Sequence, residues 1–225
     1  MGDKTKAESK AEQRAYSFEI RAEETEQGNI ITGRPIVYSS VTDLGYFDEV
    51  IDRGALNGTD LTDVRFLVNH DTSRIPLARS RRNNGNSTMH LTVDEQGMAI
   101  RVTLDTENNA EAKSLYSAVK RGDISGMSFM FYVNDEEWEN LDSDHPTRRI
   151  KSIGSVVEVS AVTFPAYNST EIYARSKEAL DNARSTVDTA RQQSEETVDT
   201  ASNDNTKELE LLKEKIKLLG GFKNA

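Results

Sequence analysis

The sequence contains no cysteine. That single absence excludes disulfides, thiolate metal sites and cysteine nucleophiles together. Histidine is scarce as well, at His70, His90 and His145. No His-Glu-x-x-His or i, i+4 histidine pair exists, so no metal site is expected. Neither Gly-x-x-x-x-Gly-Lys-[Ser/Thr] nor Gly-x-Gly-x-x-Gly occurs, so a nucleotide loop has no support and no cofactor is expected. No apolar run approaches the roughly 18 residues of a membrane span, and the N-terminus lacks the apolar core of a signal peptide. A soluble, intracellular protein without a membrane partner is the default expectation. Positive charge is also in deficit. The net charge of −10 argues against non-specific nucleic-acid binding, which rewards neutralisation of phosphates by Lys and Arg. Hydrophobic residues make up 36% of the chain and mean hydropathy is −0.65, so part of it is expected to stay outside a packed core.

What is present falls into four segments. Residues 1–14 offer almost nothing to bury and read as a disordered leader. From Ala15 to about residue 173 the pattern is that of a folded body. Tyr16, Phe18 and Ile20 alternate with polar residues, Gly28-Asn29 marks a turn, and Ile30 to Tyr38 completes a hairpin. Tyr46–Ile51 and Phe66–Val68 are short apolar stretches. Met89–Val93 and Ala99–Leu104, separated by Glu95-Gln96-Gly97, make a second hairpin. Asn108–Lys120 is the clearest helix, with an Asn cap at its start and Gly122 after its end. Met127–Val133 follows as a strand, Asn134–Arg148 as a polar excursion, and Ile153–Phe164 as a long strand. Residues 174–205 read as a flexible linker, with a weak solvated helix as the other reading of the repeated Thr-Val-Asp-Thr-Ala at Thr186 and Thr197. Residues 206–225 hold an amphipathic helix whose Leu209, Leu212, Ile216 and Leu219 share one face. Fourteen residues, Thr206 to Leu219, are too few for stability alone, so this stripe needs a partner: the body, a second copy or another protein. The fold class expected for the body is mainly β with few helices (α+β), an antiparallel, barrel-like arrangement.

Three positions carry candidate chemistry. His90 lies on the polar side of an alternating strand and His145 in the charged loop Asp142–Pro146, and both read as solvent-facing. His70 directly follows an apolar strand, a place that fixes a ring while leaving one nitrogen open. Ser125 and Ser128 surround Gly126 where a helix gives way to the apolar run Met127–Phe131, a position that suits a nucleophile and equally an ordinary turn. Glu158 sits inside Val156-Val157-Glu158-Val159-Ser160-Ala161-Val162. A carboxylate in so apolar a strand must be paired or hydrogen-bonded. Its partner is either a cross-strand Lys or Arg, or a histidine that it orients.

Leu67-Val68-Asn69-His70-Asp71, Ile124-Ser125-Gly126-Met127-Ser128-Phe129 and Val157–Tyr167, taken in order, resemble the tailed-phage prohead maturation protease family. Ile31–Tyr38 and Phe47–Leu56, with Glu49-Val50-Ile51-Asp52-Arg53-Gly54-Ala55, fit its early strand and turn. The resemblance covers roughly residues 15–173, and the family is distantly similar to the herpesvirus capsid maturation protease, assemblin. It implies an assemblin-like fold and a serine endopeptidase with Ser128 as nucleophile, His70 as base and Glu158 as the third member. It further implies cleavage of the major capsid protein or its scaffolding segment, and of the enzyme itself, inside the procapsid in the host cytoplasm. The family's herpesvirus kin place arginines shortly after the third residue to hold the oxyanion; this chain has Pro165-Ala166-Tyr167, which leaves that task to backbone N–H groups. The C-terminal helix would then serve for docking or self-association. A non-enzymatic capsid scaffold or assembly protein fits composition and tail equally well, and only the His70, Ser128 and Glu158 set separates the two.

Overall fold

The computed structural model describes residues 11–16, 20–26, 28–163 and 176–192. The chain divides into two units, Met1–Glu178 and Ala179–Ala225. In the first, eleven strands form two sheets. The larger contains β1 (Glu12–Tyr16), β4 (Val41–Asp43), β5 (Asp48–Ile51), β6 (Arg65–Val68), β7 (Ala78–Arg79), β10 (Gly126–Glu139) and β11 (Thr147–Val162), with the main order β1-β10-β11-β5-β4 and β6 paired to both β11 and β7. The smaller contains β2 (Ile20–Thr25), β3 (Gly28–Val37), β8 (Met89–Asp94) and β9 (Gly97–Leu104) in the order β2-β3-β9-β8.

The smaller sheet is built of two tight hairpins, as the period-two patterns predict. Ile31, Val102 and Met89 lie in register across β3, β9 and β8 and are all buried. The helix α1 (Ala110–Arg121) packs on this sheet against β2, β3 and β9. Asn109 caps it, its side chain accepting from the Glu111 and Ala112 N–H groups. Gly122 ends it at φ 81°, in the left-handed region that glycine reaches without Cβ strain. Ala112, Leu115, Tyr116 and Val119 form its buried stripe.

The larger sheet departs from the expected architecture in three ways. The sheets are not closed into a barrel, and each keeps free outer strands. Pairing is not wholly antiparallel either, because β11 runs parallel to β5 and to β6. The physical reason is length: sixteen residues let β11 pair with β5 through Thr147–Ile150 and with β6 through Glu158–Ala161, while β10 covers its other edge throughout. The third departure is the polar excursion. Residues 134–139 continue β10 and residues 147–150 begin β11, so the stretch is mostly the far end of one hairpin. Bulges between Met130 and Glu136 bend that hairpin. Gly154 lies beside the bend, where a Cβ would stand 2.5 Å from the Asn134 side-chain oxygen, so any larger residue would displace that side chain. Phe66, Phe129, Phe131 and Met127 from this sheet join Ile31, Ile36, Met98 and Val102 from the smaller one in a single core.

Glu12 to Arg14, expected in a leader, are the first residues of β1, paired with Phe131 to Phe129 of β10. In the second unit residues 179–192 continue a helix that begins at 176, where a flexible linker was the preferred expectation. The first copy of the repeat lies in it, with the hydroxyls of Thr186 and Thr189 donating to carbonyls four residues earlier. The amphipathic stripe of residues 206–225 lies outside the described residues.

Candidate active site

The candidate site forms where β6, β10 and β11 meet. β6 ends in a turn at Asn69 and His70, both of which adopt positive φ (51° and 59°). Asparagine and histidine are among the non-glycine residues that enter that region most often, and hydrogen bonds hold both here. The holding bonds are plain. The Asn69 N–H donates to the Ala161 carbonyl at 3.0 Å, and its side-chain oxygen accepts the Thr163 N–H at 2.9 Å. The His70 N–H donates to the Ser160 hydroxyl oxygen at 3.1 Å. The turn is thereby fastened to the end of β11, and the imidazole falls over that strand.

There it meets Glu158. The His70 Nδ1 lies 2.5 Å from Glu158 Oε1, and the Ser160 hydroxyl donates to Glu158 Oε2 at 2.6 Å. Glu158 is 1% exposed. A carboxylate so deeply buried is strongly destabilised unless both oxygens are hydrogen-bonded, and here both are. Facing an ionised carboxylate, Nδ1 is the nitrogen that carries the proton in the neutral ring. The Nε2 lone pair is then left to accept a proton from elsewhere. The imidazole keeps partial access to solvent while its acidic partner has none.

Ser128 lies on β10 directly opposite Ser160, and its neighbour two residues on, Met130, lies opposite Glu158. Cross-strand partners project to the same face, so Ser128, Ser160 and Glu158 share one side of the sheet. The Ser128 hydroxyl is fully buried. It donates to the Arg14 carbonyl of β1 at 2.8 Å, and β1 covers it with Ala15 in register. Ser125, the competing serine, is exposed in the segment before β10. The structure thus joins His70 to Glu158 and places Ser128 on the same face of the adjoining strand. His90 is exposed, as expected. His145 is half-exposed, with its Nε2 3.2 Å from Asp48 Oδ1 and 3.9 Å from Asp43 Oδ1. Among the described residues, Asp43, Asp48 and His145 are the group whose ligand atoms lie close enough together to hold a cation.

A second set of buried charges stands on the same sheet. Glu49 of β5, 1% exposed, receives Arg14 through both oxygens, at 2.5 Å from Nε and 2.7 Å from Nη2. Arg148 of β11, in parallel register with Glu49, donates to it at 3.1 Å, to Glu12 at 2.7 and 2.8 Å, and to Glu136. Burial works against the charge on Glu12, but the hydrogen bonds and fields of Arg148 and Arg14 prevail and hold its carboxyl at about 2. Burial likewise works against the guanidinium charges of Arg14 and Arg148. The surrounding carboxylates prevail there too and fix both as cations.

Three contributors here were not singled out by the sequence reading. Ser160 stands inside the apolar run Val156–Val162, and a serine there is the signal that marks it. Glu49 was quoted within a turn, and Arg14 was placed in the leader; neither local pattern announces a buried ion pair.

A histidine paired with a buried carboxylate supplies two parts of the arrangement by which serine hydrolases carry out acyl transfer; Ser128 stands on the neighbouring strand with its hydroxyl on the Arg14 carbonyl. Residues 16–185 match the family model for the caudovirus prohead serine protease, and the chain belongs to that family. It is therefore a serine protease of the prohead maturation type, with a role in phage capsid maturation inside the assembling procapsid, among capsid and scaffold proteins. No curated protein and no solved structure matches the chain. No helix among the described residues is long and apolar enough to cross a membrane.

Proposed function

We propose that Ser128 is the nucleophile, His70 the general base and Glu158 the residue that orients the base. The observation that carries this reading is the His70 Nδ1–Glu158 contact of 2.5 Å, made by a carboxylate that Ser160 holds from the other side. With Nδ1 committed to Glu158, Nε2 takes the Ser128 proton as Oγ attacks the scissile carbonyl. The imidazolium so formed is stabilised by Glu158, and it returns the proton to the leaving amine. Water then enters as the second nucleophile, His70 accepts its proton, and the acyl group leaves as a carboxylate while Ser128 is regenerated.

The substrate in this reading is the major capsid protein's scaffolding segment or a separate scaffold, cut within the procapsid in the host cytoplasm. The enzyme also cuts itself in the segments flanking the body, before β1 and beyond residue 192. The tail at 206–225 recruits the protease to the shell or to a second copy of itself. The chain order histidine, serine, third residue is shared with the herpesvirus capsid protease and supports an assemblin-like relation. The oxyanion is held by backbone N–H groups, in keeping with the absence of arginine from Pro165-Ala166-Tyr167.

Co-expression with the phage's capsid and scaffold proteins tests the assignment. Processing is expected to stop in Ser128→Ala and in His70→Ala and to continue in Ser125→Ala. Loss in Ser125→Ala with retention in Ser128→Ala would move the nucleophile to Ser125.

A further inference from the structure

The proposed triad makes no use of β1, although β1 supplies the carbonyl that accepts the Ser128 hydroxyl. It is the outermost strand of its sheet, antiparallel to β10, with Ala15 opposite Ser128 and the Arg14 carbonyl accepting the Ser128 hydroxyl. An extended peptide that binds by adding a strand to a sheet takes this kind of position. A peptide lying where β1 lies would bring the carbonyl of one residue, the counterpart of Arg14, onto the Ser128 oxygen.

The side chain of that residue has a defined destination. Arg14 projects to the opposite face, where its guanidinium stands 5.7 Å from the Phe131 ring centroid and is gripped by both oxygens of Glu49. With β1 in place, Glu12, Glu49 and Glu136 face Arg14 and Arg148: three carboxylates against two guanidiniums. Withdrawing β1 takes away Glu12 and Arg14 together. What stays is Glu49 and Glu136 against Arg148 alone, and Glu49, which Arg14 had met through both oxygens, loses that two-pronged partner. Buried carboxylates in that condition demand a cation, and the fork-to-fork geometry at Glu49 suits a guanidinium best and an ammonium next.

We propose that the edge of β10 beside Ser128 is the docking edge for the substrate peptide, that Glu49 selects arginine or lysine at the residue whose carbonyl meets Ser128, and that β1 occupies this place in the resting chain. The proposal rests on Ser128 being the nucleophile. Glu49 is in this account a specificity residue that touches substrate, and β1 is a self-block that a competing peptide must displace.

The test uses the full chain and a peptide series that differs only at that one residue, as Arg, Lys, Gln, Leu or Glu. Arginine is expected to exceed glutamine in kcat/KM by about ten- to a hundredfold, the worth of a hydrogen-bonded charge pair. Glu49→Gln is expected to collapse that ratio to within a few fold. Arg14→Ala, which loosens β1 and frees both Glu49 oxygens for a peptide cation, is expected to raise cleavage of the arginine peptide several fold. A flat preference in the wild-type chain would overturn the proposal, and so would an arginine preference that survives Glu49→Gln. The wild-type series and Arg14→Ala keep it testable even where Glu49→Gln does not fold. Peptide cleavage that is abolished by Ser128→Ala yet indifferent to arginine would defeat this proposal alone. Cleavage that persists in Ser128→Ala would defeat the nucleophile assignment and this proposal with it.

Discussion

Glu158 and Glu49 are both buried carboxylates, both 1% exposed, in the same seven-stranded sheet. They differ in what they face. Glu158 faces an imidazole, a group with one nitrogen to donate and one to accept, and a neutral hydroxyl. Glu49 faces two guanidiniums that never titrate. The first arrangement can pass through a cycle of charge states and is suited to catalysis. The second can only hold or release a partner. β11 links them, carrying Arg148 at one end and Glu158 with Ser160 at the other. One strand therefore carries both the Glu158–Ser160 end of the proposed site and the Arg148 that helps hold β1.

The contrast is sharpest at Glu158. Glu158→Gln keeps the shape and removes the charge, and the amide then competes for the wrong tautomer of His70. A loss of about 10³- to 10⁴-fold in kcat is expected, by analogy with removal of the acidic member of other serine protease triads. Circular dichroism should show an unchanged β content; an active Glu158→Gln enzyme would show that the carboxylate only packs.

Acid should break the second cluster first. Glu12 titrates at about 2 in the fold against an ordinary 4.5, so its contribution is fully present above about pH 4.5 and is lost as pH falls toward 2. That difference corresponds to about 3 kcal/mol. Amide exchange in β1 should accelerate over this interval while exchange in β6 stays slow, and Glu12→Gln should abolish the pH dependence.

A smaller effect is expected at Ser160, which positions Glu158 and the His70 backbone without touching substrate. Ser160→Ala should lower kcat about tenfold, the worth of one hydrogen bond to a charged group. Ser160→Thr, which keeps the hydroxyl, should recover part of the loss; equal loss in both would assign Ser160 to packing. Smallest of all is Asn109→Ala, which removes the cap of α1 on the other sheet. It should cost about 1 kcal/mol of stability in a urea titration and leave cleavage per folded molecule unchanged.

The hairpins of the smaller sheet and the limits of α1 were legible because alternation, an Asn cap and a terminal glycine act over a few residues. His70 was legible as a histidine at a strand end, and Ser128 and Glu158 through the order of three motifs. Other features were hidden for physical reasons. The far end of the β10–β11 hairpin has Glu136, Glu137, Arg148 and Arg149 where apolar residues would signal a strand, because its side chains pair with one another or with Asp52 and Glu12. The first three residues of β1, Glu12 to Arg14, have the polar composition of a leader, because the partners that hold Glu12 and Arg14 lie 35 to 136 residues away. Parallel pairing of β11 with β5 and β6 leaves no local trace, since it joins segments across two sheets' worth of chain.

The most direct measurement of the central claim is to treat the full chain with an excess of a fluorophosphonate and locate the adduct by mass spectrometry. An adduct on Ser128, slow to form while β1 is in place and absent from His70→Ala, is the predicted result. An adduct on Ser125, or one on Ser128 that forms equally fast without His70, would contradict the account.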